Sequence, residues 1–221
     1  MQKLFIGTVV LLAMAFGAST AKASSTEITL SSGSGPTTYT ATGSGTLSYI
    51  NLNFNNWIVV LEQGLTSSPS SIPQGIELIS QIACPLVGGC DPLTVDFSGT
   101  GFTTAAPSFF TTYNMTAESG STSSTTQTAW YGTSLLDHSG GLIGSVGFSG
   151  GVGSGSKTAV GGGPASSYSL TVQDLFNSPS GGATFSANGE VGVTPEPSTM
   201  LLFGSGLLLL GGFLRRQPHH A

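Results

Sequence analysis

Leu93-Thr94-Val95-Asp96-Phe97 alternates apolar and polar residues, and a two-residue period is what a strand with one buried and one wet face requires. The period recurs in short pieces along the chain. Ile50, Leu52 and Phe54 alternate with Asn51, Asn53 and Asn55, and Tyr168, Leu170 and Val172 share one side of another run. Gly- and Ser-rich stretches separate the pieces, and no long amphipathic helical period occurs. The expected fold is therefore mainly β, an antiparallel β-sandwich or jelly-roll-like single domain over residues 24–192. Asn188-Gly189, between two extended runs, is expected to turn a hairpin. Ile72, Ile76 and Ile79 stand at helical spacing with Pro73 near the start, so a short helix is expected there.

Charge then removes whole classes of function. Only 7% of residues are charged, and between Ser24 and Pro197 a single basic side chain, Lys157, faces ten carboxyl groups. Phosphate neutralisation needs a basic patch, so nucleic acid is excluded as a partner. The polar surface must be built from hydroxyls, amides and backbone.

Residues 1–23 read as a signal peptide. Lys3 precedes an apolar run, and Ala21-Lys22-Ala23 places the small residues Ala21 and Ala23 where signal peptidase cuts. Export favours a disulfide between Cys84 and Cys90, which flank a segment containing Pro85, Gly88 and Gly89. A metal site would need further ligands, and the body has one histidine, His138. No metal or cofactor is expected.

At the other end, Met200 to Leu214 carries no charge and Arg215-Arg216 follows. As a helix it would reach about 22 Å at 1.5 Å per residue, short of the roughly 30 Å hydrocarbon core, so flanking residues must help it span. The arginine pair acts as a membrane stop and places that end on the cytoplasmic side. Pro195 and Pro197 hold the preceding segment extended.

Pro195-Glu196-Pro197, the apolar Gly-containing run and the arginine pair, together residues 193–217, resemble the PEP-CTERM sorting signal of exported bacterial proteins. The short extension QPHHA beyond the arginines departs from that pattern. The resemblance implies recognition of Pro195, Glu196 and Pro197 by exosortase, removal or exchange of the transmembrane helix 200–214, and a Gram-negative host that makes exopolysaccharide. The protein would be anchored in the membrane before processing, then held at the cell surface or in the extracellular matrix.

No catalytic residues are assigned. Asp137, His138 and Ser139 are consecutive and cannot point at one another as a triad requires. Glu62, Glu77, Asp91, Asp96, Glu118, Asp137, Asp174 and Glu190 offer no spacing that singles out a pair for glycoside chemistry, and solvated surface is the expectation for them. Tyr113, Trp130 and Tyr131 are candidate sugar contacts. The hydroxyl run from Gly120 to Thr128 reads as an exposed loop or edge strand. The expected function is a non-catalytic cell-surface or exopolysaccharide-matrix protein, with a carbohydrate-binding module or adhesin as the alternative and a secreted hydrolase third.

Overall fold

The computed structural model describes residues 25–33, 38–66, 75–85, 88–102, 108–118, 122–159, 167–180, 182–194 and 205–206. Twelve strands follow in order: β1 (Ser25–Ser32), β2 (Thr38–Gly43), β3 (Leu47–Phe54), β4 (Trp57–Thr66), β5 (Gly75–Cys84), β6 (Cys90–Phe102), β7 (Ser108–Glu118), β8 (Ser124–Gly132), β9 (Gly141–Ser149), β10 (Val152–Ala159), β11 (Tyr168–Ser178) and β12 (Ala183–Thr194). They form two six-stranded sheets, ordered β2-β1-β6-β11-β8-β9 and β10-β7-β12-β5-β4-β3. The pairings are antiparallel, and the architecture is the expected sandwich.

The core lies between the sheets. Ile28, Leu30, Leu93, Val95, Phe97, Leu170, Val172 and Phe176 come from the first, and Trp57, Val59, Ile76, Leu78, Ile82, Phe185 and Val191 from the second, all buried. Each such side chain removed from water contributes about 1.5–3 kcal/mol, which is how a chain so poor in ion pairs stays folded. Leu93, Val95 and Phe97 share the inner face, as the alternation requires.

Tight turns use residues able to adopt a left-handed backbone. Asn55 and Asn56 (φ 44° and 70°) join β3 to β4, and Gly150 and Gly151 (φ 67° and 72°) carry the chain from an edge of the first sheet to an edge of the second. Cys84 and Cys90 form the expected disulfide and tie the end of β5 in one sheet to the start of β6 in the other.

Three expectations are corrected. Residues 75–84 are strand β5, not helix: Ile76, Leu78, Ser80, Ile82 and Cys84 all face inward, and Ser80, which breaks the apolar pattern, has a buried hydrogen-bond partner. Asn188-Gly189 does not turn; it lies in the middle of β12, paired with β5 and β7. Gly189 is needed for space, since a Cβ there would collide with the Gln127 amide from the facing sheet. Ser124 to Thr128 belong to β8, an interior strand between β11 and β9, with Thr125 and Gln127 buried. Among the described residues no helix is long and apolar enough to cross a membrane; residues 1–23, Pro195 to Pro197, Arg215, Arg216 and nearly all of 200–214 lie outside them.

Candidate functional site

The sandwich interior contains an unusual polar layer. It begins with a β-bulge at Val60: pairing between β4 and β5 shifts between Val59 and Leu61. The extra residue reverses the alternation, so Val59 is buried, Val60 is exposed, and Glu62 turns inward with no accessible surface. Ser80 Oγ donates to Glu62 Oε2 at 2.8 Å, while Glu62 Oε1 has no hydrogen-bond partner.

From the opposite sheet, β11 contributes Asp174 at an inward position between Val172 and Phe176; it is fully buried, and neither carboxylate oxygen has a partner. Directly across from it on β8 stands Gln127. Thr111 Oγ1 on β7 donates to Gln127 Oε1 at 3.0 Å. Nearby, the Tyr113 and Thr125 hydroxyls are 2.6 Å apart.

With no cation among them, these groups are pushed toward their neutral forms. Burial raises the Glu62 carboxyl well above the usual range against the opposing Ser80 hydrogen bond, and the Asp174 charge adds to the rise. Burial likewise raises Asp174, with Asp96 adding to it, and raises the Tyr113 phenol, with Asp174 again contributing. Glu62 and Asp174 are thus interior acids rather than the solvated surface expected of them.

The outer face of the first sheet holds a second cluster. His138 Nε2 lies 3.0 Å from Asp96 Oδ1, and Gln173 Nε2 donates to the same oxygen at 2.9 Å. The Trp130 ring meets His138 edge-on, with centroids 4.7 Å apart. The hydrogen bond to Asp96 raises the His138 pKa, opposed by partial burial. Ser139 Oγ instead donates to Asp137 Oδ1 at 2.7 Å and, with the Thr133 N–H, lowers that carboxyl. Asp137 and Ser139 therefore bond to each other while His138 turns away to Asp96, so the three do not line up as a triad. Among the described residues no group of three or more His, Cys, Asp or Glu could hold a metal.

The aromatic candidates do not form one platform. Tyr113 is fully buried and offers no ring to a ligand. Tyr131 stacks on the buried Phe109 at 4.7 Å, toward the core. Trp130, the next position along the same strand, points to the outer face and is half-buried. Strand alternation separates the two neighbours, and burial removes the third.

On the outer face of the second sheet, β5, β7, β10 and β12 form a groove of about 460 Å³ lined by Asn114, Thr116, Ser154, Ser186 and Asn188 over Ile79. Asn188 Nδ2 donates to Glu77 Oε1 at 2.8 Å. Amides and hydroxyls dominate the lining, a donor and acceptor surface suited to a neutral, hydroxyl-rich ligand. The sequence held no signal for it, because four strands distant in sequence supply its residues.

Beside the groove, β12 runs between β5 and β7 to Thr194, which pairs with Ser108, while Val193 is buried opposite Phe109. The strand ends one residue before Pro195. Fully extended, Pro195 to Pro197 can reach only about 10 Å beyond it.

The chain carries a PEP-CTERM protein-sorting motif at residues 193–217. Among curated proteins no relative matches. Solved structures with a loose likeness include the K1 cleaved adhesin domain of Lys-gingipain from Porphyromonas gingivalis, at 12% identity over 68% of this chain and 98% of that one, TM-score 0.37. Another is the N-terminal cellulose-binding domain of Cellulomonas fimi beta-1,4-glucanase C, at 14% identity over 69% and 90%, TM-score 0.35. A third is TmCBM61 in complex with beta-1,4-galactotriose, at 10% identity over 65% and 90%, TM-score 0.33.

Proposed function

We propose that this is an exported, non-catalytic envelope or matrix protein whose β-sandwich is delivered to the cell surface through exosortase processing of its tail. The observation that carries the reading is the sorting motif at 193–217, whose first two residues are also the last two of β12. The folded body abuts the recognition sequence without a linker, so the enzyme must work close against the end of the second sheet. Signal peptidase would release the N-terminus, and the membrane would hold the precursor until processing.

Intact mass from surface and medium fractions, in hosts with and without exosortase, tests this. The expected mature chain starts at Ser24 and lacks the segment after Pro197 only where exosortase is present. A C-terminus intact through Ala221 in both hosts would overturn the reading.

The groove favours a second role, retention of a neutral surface polysaccharide, because its polar lining residues are uncharged amides and hydroxyls. Replacing both Asn114 and Asn188 by Ala should weaken polymer retention about tenfold or more, as two hydrogen bonds at ~0.5–1.5 kcal/mol each imply. A loss seen instead with Trp130→Ala would move the contact to the opposite face. Retention unchanged in both variants would remove the carbohydrate role.

A further inference from the structure

The interior polar layer contains a nucleophile and an electrophile facing each other across the two sheets. We propose that Thr111 and Gln127 condense to an intramolecular ester that covalently joins β7 to β8. The Thr111 hydroxyl lies 3.0 Å from the Gln127 carbonyl oxygen, one bond away from the carbon it would attack, and both side chains have no accessible surface. Near-contact of this kind replaces the entropy cost of bringing the reactants together.

Several features around the pair suit the reaction and are otherwise costly. Gln127 Nε2, the nitrogen that would leave, makes no hydrogen bond despite its burial, and such a donor ordinarily costs about 1–3 kcal/mol. Gly189 leaves open the space beside that nitrogen. Asp174 is the cross-strand neighbour of Gln127 and has both oxygens unpartnered; a turn of its side chain toward the pair would let it accept and return the proton. Water, which would hydrolyse an ester, is kept out by the surrounding core.

The step balances without another reactant. Thr111 Oγ bonds to Gln127 Cδ as its proton passes to Asp174 in its ionised form, the minority form in this buried setting and the one that makes the rate rise with pH. The tetrahedral intermediate collapses with cleavage of the Cδ–Nε2 bond, and the same proton goes to the departing nitrogen. Ammonia leaves, and Asp174 returns to its starting state. The product would link the second sheet to the first near the middle of the sandwich, far from the disulfide in the chain. This inference is independent of the sorting reading.

Mass spectrometry of the full-length protein, reduced and denatured, tests it. The wild type should be lighter than its sequence by one ammonia. Cleavage after Glu118, which lies between Thr111 and Gln127 in the chain, should leave the two segments joined until mild base separates them; Cys84 and Cys90 both precede Glu118, so the disulfide cannot mimic the link. Thr111→Val should have full mass and separate segments, and Thr111→Ser should restore the deficit. Asp174→Asn should slow the mass loss in freshly folded protein and abolish its pH dependence. A wild type of full mass overturns the proposal. So does an ammonia deficit with separate segments, such as cyclisation at Asn188-Gly189 would give.

Discussion

Trp57→Ala should lower the unfolding free energy by about 3–5 kcal/mol, a large share of the 5–15 kcal/mol typical of a domain. Trp57 is the largest fully buried side chain, at 1% exposure. Its ring packs against Phe185 with centroids 6.1 Å apart, and its indole N–H donates to the Asp91 carbonyl at 2.8 Å. That bond crosses from β4 in one sheet to β6 in the other, one residue after Cys90, so the side chain and the disulfide brace the same end of the sandwich. Truncation removes apolar contact, leaves a cavity and breaks the bridge.

Trp57→Phe separates these effects. It keeps much of the apolar volume but loses the N–H and part of the indole's bulk; Asp91 is exposed, so water can replace the donor, and the cost should stay at about 1–2 kcal/mol, well below that of Trp57→Ala. Trp130→Ala, on the outer face, should cost less than half of Trp57→Ala. Denaturant midpoints of the three variants decide it. Equal losses at Trp57 and Trp130 would mean that Trp57 is not the packing centre of this end.

The strands that could be read from sequence are those whose inner positions are apolar throughout, as at Leu93, Val95 and Phe97. Reading failed wherever the buried face is polar. Ser80 interrupted β5 and let the isoleucine spacing suggest a helix, and Thr125 and Gln127 made β8 resemble an exposed loop. Glu62 was beyond reach for another reason: the bulge at Val60 moves it to the other face, and no local residue announces the change. Asn188-Gly189 has turn chemistry, but Gly189 serves an approach from the facing sheet that only tertiary structure reveals. These misses converge on the interior polar layer. The sorting motif was legible because its recognition depends on a contiguous segment rather than on assembled geometry.

That layer should also make stability fall as pH rises. Glu62 and Asp174 both hold their protons more tightly folded than unfolded. Their contribution is therefore fully present below the ordinary carboxyl range, about pH 4, and is lost as pH climbs through their raised folded values. Each proton that the native state retains and the unfolded chain has released costs about 1.4 kcal/mol per pH unit. The window from pH 4 to 6 isolates the effect. His138, whose folded pKa is also raised, contributes stability that is largely intact below its ordinary value near 6.5. Asp137, whose pKa is lowered, loses its contribution only at more acid pH. Glu62→Gln cannot ionise but keeps an acceptor for the Ser80 hydroxyl. It should match the wild type near pH 4, exceed it at pH 6, and retain only the slope due to Asp174. Denaturant midpoints that run parallel for wild type and Glu62→Gln across this window would show that Glu62 carries no excess proton in the folded protein.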